Sequence, residues 1–228
     1  MSFEGVKRRT SERFNEVQVL LNYISSSEQQ EITSPISLEM KIMKGLFYVH
    51  LYAAFEKTVN EIFETALSLI SSKCIKNNHL SPTLLSIALS DKMKSLKDGG
   101  YSKILIKSSE IFSESSSNKV VPINETIFSS QLQNAWVKTI TEISIILGIN
   151  DFSFEPRVRA TIDEIVDKRN AVAHGRDSAS TIGERYRANV LRDKMVIVSS
   201  AAQQFIIAVE EHCAAKKYIK PSLRRHYV

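Results

Sequence analysis

Cysteine is scarce in this chain: two residues, Cys74 and Cys213, far apart and in no motif. That excludes a disulfide framework and reads as reduced thiols of a soluble, cytoplasmic protein. Seven glycines and five prolines are also few, and they cluster between apolar-periodic stretches. A barrel or sandwich needs many turns, so this scarcity favours an all-α chain. No uninterrupted apolar run reaches membrane-spanning length. The longest candidate, residues 45–55, is interrupted by His50 and followed by Glu56 and Lys57. The opening Met1-Ser2-Phe3-Glu4 lacks the charged-then-apolar pattern of a signal segment. There is no Gly-rich phosphate loop, no internal repeat and no pair of His, Cys, Asp or Glu at metal-ligand spacing, so neither a cofactor nor a metal site is expected.

What remains is an ordinary globular balance over 228 residues, 43% hydrophobic and 24% charged, enough for one good core. A net charge of +5 and a pI near 9.1 permit a polyanionic partner without demanding one. Phe14, Val17, Leu20, Leu21 and Ile24 repeat at helical spacing and predict a first helix over 4–24, followed by a polar connector over 25–35. Ser37 caps a second helix reaching about residue 73, apolar almost all round between Leu46 and Phe55 and therefore central. Ser81-Pro82 opens a third helix that Gly99-Gly100 ends. Residues 101–128 are least clear and read as an irregular insertion or covering segment. Within them Lys119-Val120-Val121-Pro122-Ile123 could be an extended strand or a loop. Ser130 with Gln133 predicts a capping box for a helix stopping at Gly148, and Thr181 with Glu184 a second box opening the last long helix. The expected organisation is a single helical domain over 1–215 and a basic, loose tail over 216–228.

The most informative stretch is Asp167-Lys168-Arg169-Asn170-Ala171-Val172-Ala173-His174-Gly175. It closes an apolar-periodic helix over 157–174, with Gly175 where a C-terminal glycine cap belongs. On an ideal helix Arg169 and His174 lie roughly 140° apart, but His174 sits in the last turn, where the chain can unwind and swing the imidazole toward Arg169. RNA cleavage by internal transesterification needs a base for the 2′-OH, charge for the phosphorane and an acid for the leaving 5′-oxygen. A histidine can serve as base or acid, an arginine offers permanent charge and paired donors, and Asn170 can orient phosphate or imidazole. The bare spacing is weak, arising by chance in roughly one chain of this length in four. The plain alternative is Arg169 in a surface ion pair and His174 as a polar cap.

These residues resemble the signature of the HEPN superfamily: Arg with a polar residue commonly after it, four to six residues, then His. Arg169 to His174 matches the shortest form. The chain is similar in particular to stand-alone prokaryotic nucleases of the RiboL-PSP-HEPN type, through the early helix Leu51-Tyr52-Ala53-Ala54-Phe55-Glu56, the segment Leu147-Gly148-Ile149 and the Arg-Asn-x-x-Ala-His-Gly helix end. The resemblance implies an all-α HEPN-like helical bundle, a homodimer formed through the motif helices, and metal-independent endoribonuclease activity in toxin or anti-phage systems. It also implies a neutralising or activating partner protein. The alternative it leaves is an inactive HEPN module that dimerises or binds nucleic acid or nucleotides. Its catalytic residues map to Arg169, Asn170 and His174. HEPN toxins paired with nucleotidyltransferase antitoxins tend to carry a modified Tyr two residues after the His; here Arg176 stands there, which argues against control by that route.

Glu56 and Asn60 share an otherwise apolar stripe with Ile42, Leu46, Val49, Ala53, Phe63 and Leu67, where a carboxylate needs a partner. Glu56 could hold the Arg169 guanidinium, as early-helix acids do in HEPN proteins, or make a structural ion pair elsewhere. Arg176 could touch a substrate phosphate or be a solvated surface charge. His50 reads as a core or interface histidine, and His79, His212 and His226 have no partner pattern. The RNA partner that would suit such a site is single-stranded or a loop.

Overall fold

The apolar periodicity builds nine α-helices among the residues described by the computed structural model, 2–30 and 36–227. The longest is α2 (Leu38–Ser72), capped as expected by Ser37, whose hydroxyl accepts the Met40 N–H at 3.3 Å. It buries Phe47, Tyr48, Leu51, Phe55, Val59, Ile62 and Phe63, and α1 (Phe3–Gln30), α7 (Pro156–Ala173), α8 (Ala179–Glu184) and α9 (Ala188–Ala214) all pack against it. The bundle is all-α, and among the described residues the one β-type contact is an isolated antiparallel bridge between Leu80 and Ile219.

The structure corrects several boundaries. Residues 25–30 are helical, not connector; the rest of the expected connector, 31–35, lies outside the described residues. Extending α1 carries Glu28 to the fully buried ammonium of Lys44, and the same carboxylate accepts the Ala188 N–H at 2.8 Å. A buried lysine needs such a partner. Burial alone would push Glu28 upward, but Lys44 and the Ala188 amide hold its carboxyl below the usual range.

Ala188 is thus the true start of α9. The Thr181–Glu184 pair falls inside α8, which is capped instead by Ser178 through the Thr181 N–H at 3.1 Å. The single helix expected from Pro82 is two, α3 (Pro82–Ala88) and α4 (Ser90–Asp98), parted at the buried Leu89. Part of 101–128 is helical, α5 (Ile104–Ser115), while 119–123 is a loop that lays Ile123 on the core. The capping box at Ser130 does not form. A 3-10 turn over Gln131–Gln133 intervenes and α6 (Val137–Leu147) starts seven residues later, its Val137 N–H bonded to Asp163 Oδ1 at 3.0 Å. Gly148 ends α6 in the left-handed region, as anticipated.

The tail is not loose over its described residues. Tyr218 and Ile219 are buried, Ser81 donates to the Tyr218 carbonyl at 2.8 Å, and Lys220 N–H bonds His79 O at 2.9 Å. No helix among the described residues is long and apolar enough to cross a membrane.

α8 crosses α2 backbone to backbone. A Cβ placed on Gly45 would lie 1.9 Å from the Ala179 carbonyl oxygen, and one on Gly183 1.8 Å from the Lys41 carbonyl oxygen. Neither obstacle is a side chain that can rotate away. Gly45→Ala and Gly183→Ala should each lower stability by about 3 kcal/mol or more, read as a fall in urea midpoint without a change in slope.

His212 is 5% exposed, its Nε2 has no partner among the described residues, and burial lowers its pKa to about 4. Between pH 6.5 and 4 the unfolded chain therefore binds a proton that the folded chain refuses, so this residue makes stability fall as pH falls. The loss reaches at most about 3 kcal/mol near pH 4. NMR titration should show the His212 ring still neutral at pH 5; protonation near pH 6.5 would contradict its burial.

Candidate active site at the end of α7

α7 begins at Pro156 in the first helical position and buries Ile162, Ile165, Val166 and Ala171. That leaves Arg169 and Asn170 half-buried beside α2, and His174 exposed as the C-cap residue. Gly175, at φ 69°, reverses the chain, and the Asp177 N–H closes the turn on the Ala171 carbonyl at 3.1 Å.

Arg169 is held in a cage built from three segments. Nη2 donates to Glu56 Oε2 at 3.0 Å, and Nη1 to Asn170 Oδ1 at 2.7 Å. Longer contacts run from Nη1 to Asn134 Oδ1 at 3.4 Å and from Nη2 to the Gln133 carbonyl at 3.5 Å. The guanidinium carbon lies 4.2 Å from the centroid of the Tyr52 ring, a cation–π geometry. Tyr52 and Glu56 are one turn apart on α2, so a single helix face supplies ring and carboxylate.

Tyr52 is itself fixed. Its hydroxyl donates to the Gln133 carbonyl at 3.2 Å and accepts the Ala135 N–H at 2.9 Å. Burial, seconded by Glu56, pushes its ionisation well above the ordinary tyrosine range, so it stays a neutral donor. These two bonds explain why no α-helix runs through 133–135: Tyr52 claims backbone groups that an α-helix would use internally.

Of the alternatives for Glu56, the Arg169 pair is the one that forms. The stripe it belongs to is not buried throughout: Phe63 and Leu67 are core, but Ile42, Leu46 and Ala53 are exposed and Val49 half-buried. Arg176 lies outside the cage, exposed, donating to Asp167 Oδ1 at 2.7 Å and clasping the post-helix turn to α7. His50 is half-exposed on the far side of α2, 3.9 Å from Glu16.

Four of the five Arg169 N–H groups have acceptors; Nε–H has none among the described residues. Asn170 turns its oxygen to Arg169, which leaves its amide N–H₂ free to donate. The His174 ring makes no hydrogen bond with any described residue, Arg169 included, so the sequence motif brings the two groups to one helix end without joining them. Tyr52, Gln133 and Asn134 escaped the sequence reading. The only available signal was the four-residue spacing of Tyr52 and Glu56; the approach of 133–134 comes from a segment remote in sequence.

A family model described as RiboL-PSP-HEPN matches residues 8–215, nearly the whole chain. No curated protein and no solved structure matches it significantly. HEPN domains are commonly ribonucleases, and membership supports an RNA-related role. The Arg169–His174 motif, the Glu56 partner and the all-α bundle thus agree with a match spanning the fold, and the chain belongs to the RiboL-PSP-HEPN family of the HEPN superfamily.

Proposed function

We propose that this chain is a metal-independent endoribonuclease that cleaves RNA by attack of the 2′-OH on the adjacent phosphorus, in a site shared by two copies, and that it acts as a toxin or anti-phage effector. The observation that carries the reading is the contrast at one helix end: Arg169 is caged, while the imidazole of His174 is exposed and unspent. A fixed cation and a free proton carrier are what the reaction asks for. Arg169 supplies charge to the phosphorane, its two long contacts to Asn134 and Gln133 being the ones a phosphate oxygen can displace. The Asn170 amide donates to the same phosphate. His174 takes the 2′-OH proton or delivers one to the departing 5′-oxygen. Arg176, tied to Asp167, is a peripheral phosphate contact in this scheme.

One chain offers a single histidine, whereas the reaction wants a base and an acid on opposite sides of phosphorus. A two-fold axis repeats the same patch on both copies and provides both. The exposed apolar run Ile42, Leu46 and Ala53, leading to Glu56 on α2, supports an interface beside the motif. The rival reading, an inactive HEPN module that dimerises or binds a nucleotide, draws on the same cage, because four of the five donors of Arg169 are already engaged. Overexpression separates the two: growth arrest by the wild type that His174→Ala abolishes supports the nuclease, and harmless wild type supports the rival.

Cleavage should survive EDTA and leave 2′,3′-cyclic phosphate ends. His174→Ala should lower the rate at least about 10²-fold, and Arg169→Lys about as much, because an ammonium cannot reproduce the planar donors. Products with 5′-phosphate ends, or a wild-type rate in Arg169→Lys, would refute the assigned roles. Sedimentation at micromolar concentration should show a dimer, and mixing inactive Arg169→Ala with inactive His174→Ala should not regenerate full activity, since every mixed pair lacks one arginine and one histidine. A fully active monomer would sink the shared site.

A further inference from the structure

The α4–α5 hairpin is built inside out. Neither helix has a buried residue. On α5 the half-buried positions that face the body are Lys107, Ser108, Ile111, Glu114 and Ser115, and Lys107 spends its ammonium on the Ser95 carbonyl and hydroxyl at 2.7 and 2.8 Å. The solvent face carries the apolar side chains: Tyr101 is 93% exposed, Leu105 83%, Phe112 71% and Ile106 66%. An amphipathic helix in a finished fold shows the reverse arrangement.

Tyr101 lies on the 3-10 turn Tyr101–Lys103, and after it Leu105 and Phe112 are seven residues apart on α5, which brings these two within roughly 20° of one another. That is the anchor spacing of a helix laid in a groove. Around them Lys94, Lys97 and Lys103 are exposed and enter no ion pair with a described residue. Exposed acids, Asp91, Asp98 and Glu110, lie on the same hairpin, but its closed end is lysine-rich. A second copy is a poor occupant, because a two-fold contact would set these lysines against themselves. RNA is a poorer one: Tyr101 and Phe112 could stack on bases, but Leu105 and Ile106 between them offer neither stacking nor hydrogen bonds.

We propose that the α4–α5 hairpin docks a partner protein through an apolar groove rimmed by carboxylates, with Tyr101, Leu105 and Phe112 as anchors. The proposal is independent of the nuclease assignment. It is tested by placing a photo-crosslinking benzoylphenylalanine at Phe112, at Leu105 and, as control, at the exposed Lys138 of α6. The full-length chain, in a His174→Ala background, is expressed in its native host. The expected result is one protein adduct at positions 105 and 112 and none at 138. The crosslinked peptide should be apolar with flanking Asp or Glu, and the yield about tenfold lower with Lys94→Glu, Lys97→Glu and Lys103→Glu combined. Matching far-UV circular dichroism shows that the variants fold. Adducts with a second copy, with RNA or with lipid, no adduct at either position, or a yield indifferent to the lysine reversals would each overturn it. RNA cleavage by the same hairpin variants in an otherwise wild-type chain reports separately on the nuclease reading.

Discussion

The crossing of α8 over α2 at Gly45 and Gly183 is the constraint on which the rest depends. Two backbones can approach this closely only where neither carries a side chain. Lys41 and Glu184 pair at 2.6 Å beside the crossing and hold the same register. Because α8 is short and pressed onto α2, the turn between α7 and α8 has little freedom, and His174 and Gly175 lie in that turn. The return into α9 is fixed from the other side. Glu164 of α7 accepts from the Tyr186 hydroxyl at 3.0 Å and from Lys194 at 2.5 Å. The helix that presents the motif is thus clamped at both faces.

The parts legible in the sequence were those set by local chemistry. Ser37 and Gly148 announce helix ends through a hydroxyl cap and a left-handed glycine, and α7 through its periodicity and Gly175. The Arg169–His174 motif was readable for the same reason, since its members sit five residues apart at one helix end. Glu56 was readable because a carboxylate on an apolar stripe needs a cation. What failed was long-range. Ser130 with Gln133 is a good capping pattern overruled by the Tyr52 hydroxyl; Thr181 with Glu184 lost to Ser178 three residues earlier, while the last helix starts at Ala188, whose N–H the distant Glu28 takes. Nothing near residue 133 reveals that a tyrosine some eighty positions earlier takes its carbonyl. The tail misled similarly: its basic composition reads as solvated, yet Tyr218 and Ile219 find the Asn77–Ser81 turn and complete the core.

The cage around Arg169 has the character of a preorganised site more than of a surface ion pair. Its members come from α2, the 133–134 turn and α7, so the guanidinium plane is set by three elements that do not move independently. Tyr52 contributes twice: its ring faces the cation, and its hydroxyl fixes the backbone from which Gln133 and Asn134 reach the arginine. The strong bonds, to Glu56 and Asn170, fix orientation, and the weak ones leave an edge open.

The Glu56–Arg169 pair also bears on how two such sites can meet. Two bare arginines brought together across a symmetry axis repel, and the repulsion is strongest where water is being expelled. In the proposed shared site each guanidinium would arrive with its own carboxylate at 3.0 Å. The encounter would be between two near-neutral dipolar units, with the positive charge felt in full only by a phosphate that comes closer to the arginine than to the acid. An intramolecular counter-ion of this kind would make self-association tolerable before substrate is present and leave a polyanion to supply the remaining attraction.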